Sequence, residues 1–264
     1  MSRVRAPSIA HFFRVELSTA FFLGLIQGIT EFFPVSSSGH LTLAERLMGM
    51  TLDDEMLLFN IFSHVGTLFV ILFVFRREVM EIFTRKSTMR RALILGTLPL
   101  FFFVPLFKVI KASFGASEVL TAAFAFTGCV LFLGDRLRIP VDSKWRPLVV
   151  GMAQTIALFP GVSRSGMTIS AGRVAGFSSQ EAITFSFLLA IPAVLGSLTL
   201  EIYHLIREGS ADVVDPLPLL VAVMTAFVVG FFALGSIKAL GRMGKLGYFA
   251  WYCLALSGLT FYLL

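Results

Sequence analysis

The sequence predicts an all-α, polytopic helical membrane protein, built as an inverted-topology repeat with two re-entrant broken-helix pairs. Three observations carry that prediction. Of 264 residues, 56% are hydrophobic and 14% charged, against roughly 25% charged in soluble domains, and mean hydropathy is +0.86. Several apolar runs approach the roughly 20 residues an α-helix needs to cross a bilayer, and no alternating pattern suggests a barrel. Finally, one polar stretch occurs twice, without a gap: Gly24, Gln27, Ile29, Phe32, Val35, Ser36, Ser38 and Gly39 recur 127 positions later as Gly151, Gln154, Ile156, Phe159, Val162, Ser163, Ser165 and Gly166. Residues 1–264 therefore read as one integral membrane domain, with repeat 1 over about 17–133 and repeat 2 over about 144–260.

The elements follow in order. Residues 1–16 read as a retained interfacial lead-in, an amphipathic surface helix in kind, because Arg14 and Glu16 interrupt the apolar run and no cleavage site follows. Residues 17–33 are apolar and stop at Pro34, which lacks the donor a continuing helix needs. Ser36, Ser37 and Ser38 then offer caps for a helix starting near His40. A short acidic linker, Asp53, Asp54 and Glu55, leads to an apolar segment over about 57–75. Loop 76–91 is rich in Arg and Lys and belongs on the cytoplasmic side. Segment 92–107 returns to Lys108 and Lys111, and segment 119–133 crosses back to the basic stretch 134–146. The second half runs through 147–159, a break at Pro160-Gly161 and a continuation to about Ile169. Spans over 182–200, 217–236 and 246–264 complete it, separated by an acidic loop (Glu201, Glu208, Asp212, Asp215) and a basic one (Lys238, Arg242, Lys245).

Parity constrains the middle. With 134–146 inside and 201–215 outside, segment 182–200 supplies the one crossing allowed between them. Residues 147–169 must then enter and leave on one side, and by the repeat residues 20–42 do the same from the opposite face. Broken helices meeting near the midplane of an inverted repeat follow. Irregular backbone at that depth has to line a cavity or be buried in protein. The net charge of +6 reflects cytoplasmic loops, not a nucleic-acid partner. Cys129 and Cys253 lie in apolar segments and imply neither a disulfide framework nor a metal cluster.

The breaks carry the chemistry. Ionisable groups at membrane depth are costly, about 2.5 to 3.5 kcal/mol each on insertion scales, and read as functional by default. Where repeat 1 has Glu31, Ser37 and His40, repeat 2 has Leu158, Arg164 and Met167. Free amides, hydroxyls and a helix N-terminus suit a phosphate, and Arg164 adds a bidentate cation. Glu31 can hold a divalent ion or act as base on a serine or water, and His40 can shuttle the proton to a leaving group. Blander readings stand beside these. The serines can be helix caps, Glu31 and Arg164 a buried ion pair joining the halves, and Thr168 and Ser186 bonded to their own helices. His64, one turn after Asn60, reads as a polar pair with a packing or indirect role.

At Gln27-Gly-Ile-Thr-Glu31-Phe-Phe-Pro-Val-Ser-Ser-Ser-Gly-His40 and Pro160-Gly-Val-Ser-Arg-Ser-Gly-Met-Thr168, supported by Phe185-Ser-Phe-Leu-Leu-Ala-Ile-Pro192, the chain resembles the undecaprenyl-diphosphate phosphatase family, also called bacitracin-resistance proteins. The resemblance implies a multi-pass enzyme of the bacterial inner membrane, with its active site towards the periplasm. It would remove the terminal phosphate of a polyprenyl diphosphate, recycling the lipid carrier for cell-wall precursors. Dependence on a divalent cation, Mg2+ or Ca2+, and a homodimer are also implied. Carried over, Glu31, Ser37, His40 and Arg164 are catalytic, and Gln27, Ser36, Ser163, Ser165, Gly166 and Thr168 bind substrate. Glu31 and Gln27 would hold the metal, although Gln27 stands where many relatives have Glu and offers only a neutral oxygen. The nucleophile stays open among Ser37, His40 and water, with Ser37 favoured. A transporter or flippase of an anionic polyprenyl lipid is the alternative, since broken-helix repeats are also a transporter architecture. The acid-phosphatase-like lipid phosphatases are rejected, because they require a second His with an Asp shortly after the Ser-Arg, and Ser163-Arg164 is followed by Ser165-Gly-Met-Thr-Ile-Ser-Ala.

Overall fold

Eleven α-helices and no strand occur among the residues that the computed structural model describes, 15–50, 54–84, 87–103, 117–208 and 216–264. The first half holds α1 (Leu17–Thr30), α2 (Ser37–Leu47), α3 (Asp54–Val74), α4 (Arg76–Ile82), α5 (Thr88–Phe103) and α6 (Ser117–Arg136). The second holds α7 (Arg146–Ile156), α8 (Arg164–Val174), α9 (Ser179–Glu208), α10 (Pro216–Arg242) and α11 (Tyr248–Leu263). The lead-in over 1–14, Lys108, Lys111, Asp212 and Asp215 lie outside the described residues.

Helices α2 and α8 match end for end at the 127-residue offset. Each follows a break, and the two breaks turn by different means. In the second, Gly161 takes the left-handed conformation (φ 82°), which costs glycine little. In the first, the equivalent position is Pro34, and the left-handed turn falls two residues later on Ser36 (φ 71°). A non-glycine residue persists there only where its surroundings fix it. Ser36 is the N-cap of α2, its hydroxyl accepting from the Gly39 amide at 3.2 Å. Ser163 caps α8 in the same way from Gly166 at 3.0 Å. The new helix in repeat 1 thus begins at Ser37, three residues before the His40 start expected from sequence.

The helices flanking each break are too short to span. At 14 residues α1 rises about 21 Å and at 11 residues α2, α7 and α8 about 16 Å each, against a hydrocarbon core of about 30 Å. Longer helices surround them. Among the described residues three are long and apolar enough to cross a membrane, namely α6, α9 over Ser179–Leu200, and α10. A fourth exists if α3 and α4 count as one span, bent by 83° between Phe59–Val74 and Arg76–Ile82. Helix α11 is a shorter apolar helix, and α5 runs into residues outside those described. The chain is a multi-pass helical membrane protein.

Several boundaries differ from the sequence reading. The acidic linker is in part helix, since α3 begins at Asp54. Part of loop 76–91 is helix α4, and α9 runs on through Glu201 to Glu208. Hydropathy marks where a chain leaves hydrocarbon, whereas the hydrogen-bond ladder continues into the interface.

Helix pairing interleaves the halves. Helix α1 packs along α10 and α7 along α5; α3 meets α10, α9 meets α5, and α6 meets α11. Each contact maps onto its partner under the repeat. Glycines set the closest crossings, as small residues do between membrane helices. A Cβ on Gly24 would stand 2.7 Å from the Ala222 carbonyl oxygen, and one on Gly151, its counterpart, 2.3 Å from the Gly96 oxygen. Backbone cannot yield as a side chain can. Gly151→Val is accordingly expected to destabilise the protein by about 1 to 3 kcal/mol, read as a lower unfolding midpoint in detergent. The largest cluster buries Phe32, from the first break, beneath Phe75, Ile183, Phe187 and Ile237, with the Phe32 and Phe187 rings edge to face at 5.3 Å. Its repeat counterpart Phe159 is exposed, so the second break places no equivalent ring in the core.

Candidate active site

Both breaks converge on the Glu31 carboxylate, which is 6% exposed. Glu31 caps the C-terminus of α1, four residues after Gln27, so the two side chains share one helix face. Oε2 of Glu31 accepts from the Ser37 hydroxyl at 2.7 Å and from the Gln27 amide at 3.2 Å. Oε1 accepts from an Nη of Arg164, forming an ion pair. Ser37 and Arg164 are the same position of the two repeats, each the first residue of a helix after a break. A hydroxyl and a guanidinium thus approach one carboxylate from opposite halves of the chain.

A fourth group joins them, one expected from the sequence to have a packing or indirect role. Nε2 of His64, on α3, lies 3.4 Å from Oε2 of Glu31. Its Nδ1 is 2.7 Å from the Asn60 carbonyl, which can only accept, so Nδ1 carries a proton. Nε2 is left facing the carboxylate, where a proton or a metal ion can bridge the two. Thr67, on the same helix, accepts from Gln27 at 3.5 Å. The signal for this cluster was present: Asn60, Ser63, His64 and Thr67 form a polar stripe at helical spacing on an otherwise apolar helix.

Other predicted residues lie elsewhere or are already engaged. His40 bonds neither Ser37 nor Glu31; its ring nitrogens meet the Ser36 carbonyl (2.7 Å) and the Tyr252 hydroxyl (2.8 Å). Ser165 donates to the Phe33 carbonyl at 3.1 Å, tying the second break to the first. Thr168 donates to the Arg164 carbonyl (2.8 Å) and shares a 2.6 Å bond with Ser186. With Ser36 and Ser163 capping their helices and the Gly166 amide bonded to Ser163, these groups hold backbone in place. Of the predicted serines, Ser37 is the one bonded to Glu31.

The donor set admits a divalent cation. With the Gln27 nitrogen on Glu31 and Thr67, its Oε1 is buried without a partner. An orphaned amide oxygen beside a carboxylate and an imidazole nitrogen suits a cation. No group of three or more His, Cys, Asp or Glu side chains placed to hold a metal ion occurs among the described residues, so any metal would rest on few protein ligands and leave room for substrate oxygens.

This fold and site define a class: a polytopic membrane protein whose two broken helices bring a carboxylate, a serine and an arginine together in the protein interior. Residues 20–259 match the family described as Bacitracin resistance protein BacA. The chain belongs to that family. It is 42% identical over 241 residues to an undecaprenyl-diphosphatase of Protochlamydia amoebophila, covering 89% of this chain and 93% of that protein. Similar relatives bearing the same name come from Carboxydothermus hydrogenoformans, 35% identical over 88% of this chain and 92% of that one, and from Korarchaeum cryptofilum, 34% identical over 90% and 96%.

Proposed function

We propose that the chain is an integral-membrane undecaprenyl-diphosphatase, which hydrolyses undecaprenyl diphosphate to undecaprenyl phosphate and phosphate and so recycles the carrier lipid of cell-wall synthesis. The name shared by its relatives supports the substrate. The observation that carries the chemistry is the Ser37–Glu31–Arg164 cluster, assembled across both breaks.

Phosphoryl transfer needs positioning and charge neutralisation more than covalent machinery. In the cluster, Arg164 holds Glu31 in place of an anion. An arriving terminal phosphate offers the guanidinium a better-matched, bidentate partner. Arg164 then exchanges the carboxylate for phosphate oxygens, and Glu31, relieved of its counter-charge, becomes a stronger base towards Ser37. The Ser37 oxygen attacks the terminal phosphorus as its proton passes to Glu31; the phosphoanhydride bond breaks and undecaprenyl phosphate leaves, taking that proton on its phosphate oxygen. Water then attacks the phosphoserine as it gives a proton to the freed Glu31 carboxylate, and that proton returns to the Ser37 oxygen as phosphate is released. Gln27 and Glu31, with His64 beside them, would hold a divalent cation, Mg2+ or Ca2+, which supplies neutralisation of the diphosphate charge. The active site opens towards the periplasmic face of the plasma membrane.

Two tests follow. Ser37→Ala is expected to lower kcat at least about 100-fold, and acid-quenched wild-type enzyme, incubated with substrate labelled in the terminal phosphate, is expected to retain label on Ser37. Unlabelled protein at full turnover would assign the attack to water. Chelation is expected to abolish release and Mg2+ or Ca2+ to restore it, with Gln27→Ala requiring more of either ion for half-maximal recovery.

A further inference from the structure

We propose that Tyr252 is a positioning residue, which fixes His40 and through it the backbone that presents Ser37. This rests on the phosphatase reading for its kinetic consequences. Ser36, immediately before Ser37, is the one described non-glycine residue with positive φ. What holds it there is His40, which donates twice to the Ser36 carbonyl, from its backbone amide at 3.2 Å and from Nδ1 at 2.7 Å. Because that carbonyl only accepts, the His40 ring proton sits on Nδ1 and the neutral Nε2 is an acceptor. The Tyr252 hydroxyl, 2.8 Å away, is therefore the donor. Its ring also stacks on the imidazole, with centroids 5.7 Å apart and planes within 5°. Phe124 closes the ring edge-on at 5.4 Å and leaves no room for a Cβ on Gly39, which would stand 2.7 Å from its Cζ.

His40 is thus clamped between α6 and α11, with both nitrogens committed. Tyr252 belongs to the second repeat, where Arg164 also originates, so the second half supplies both the cation of the site and the brace for its serine. The repeat counterpart of Tyr252 is Ala125, and that of His40 is Met167, so the brace exists only on the side that carries the hydroxyl acting on phosphate.

Tyr252→Phe keeps the stack and removes the donor. Expected is a fall in kcat of about tenfold with KM within about twofold, no change in unfolding midpoint, and no further fall when the substitution is added to His40→Gln. In protein labelled with 15N-histidine, the His40 Nε2 resonance is expected to move to that of an unbonded acceptor while Nδ1 stays protonated. An unchanged Nε2 resonance, an unchanged kcat, or independent losses in the double variant would overturn the assignment. Wild-type protein that releases no phosphate would sink the phosphatase reading instead, and the nitrogen resonances would still decide the Tyr252–His40 bond.

Discussion

Glu31→Gln is expected to lower phosphate release by about 10³- to 10⁴-fold and at the same time to increase the affinity of the protein for inorganic phosphate. The two effects have one origin. Glutamine matches the carboxylate in shape and still offers Ser37 an oxygen, but it takes no proton and carries no charge. Arg164, 17% exposed, then lacks its counter-ion. Removing one partner of a buried ion pair costs about 3 to 5 kcal/mol, and an incoming anion relieves that cost. Phosphate and Glu31 compete for the same guanidinium in the wild type, so the variant should bind phosphate more tightly while failing to process substrate. Phosphate-dependent stabilisation in a thermal unfolding assay measures the first effect, and initial rates measure the second. Weaker phosphate binding in Glu31→Gln would show that Arg164 does not change partners during the reaction.

Arg164→Ala is expected to be inactive and less stable still, by about 3 to 5 kcal/mol. It leaves a carboxylate at 6% exposure with only neutral donors and His64 around it. Because the loss arises from an uncompensated charge, the double variant Glu31→Gln with Arg164→Met should recover much of the stability, as replacing a whole buried pair by groups of similar volume commonly does. It should recover none of the activity. Arg164→Lys keeps the charge but loses the fork that spans two phosphate oxygens, and is expected to fall between wild type and Arg164→Ala in rate. A double variant as unstable as Arg164→Ala alone would show that Arg164 stabilises the fold by packing and not by charge.

The parts of this site legible in the sequence are those that violate the solvent. Glu31 and Arg164 stand out because a bilayer does not tolerate them singly, and the 127-residue repeat brings them to one place without any contact being known. Ser37 was legible as one of three serines, but which hydroxyl reaches Glu31 depends on Ser36 adopting a left-handed turn. Local preference argues against such a turn, and the two bonds from His40 to the Ser36 carbonyl oppose that preference. The indirect role expected of His64 was legible, but its target, Glu31, was not. The neighbour of His64, Asn60, looked like its partner, and Asn60 is its partner through the backbone carbonyl, which leaves the far nitrogen facing Glu31. Tyr252 lies 212 positions from His40; by composition it is one more aromatic in an apolar terminal helix, indistinguishable from a lipid-facing residue. The spans of α6, α9 and α10 were legible from hydropathy, whereas the 83° bend after Val74 was not, since no proline or glycine marks it.

The decisive measurement is release of inorganic phosphate from a polyprenyl diphosphate by purified protein in detergent, where no second compartment exists for transport. Sustained turnover by the wild type, lost in both Glu31→Ala and Arg164→Ala, is the expected result and puts one residue from each break into a single phosphatase site. Folded wild-type protein that binds the lipid but releases no phosphate, with or without divalent cation, would contradict it and favour a carrier of anionic polyprenyl lipids.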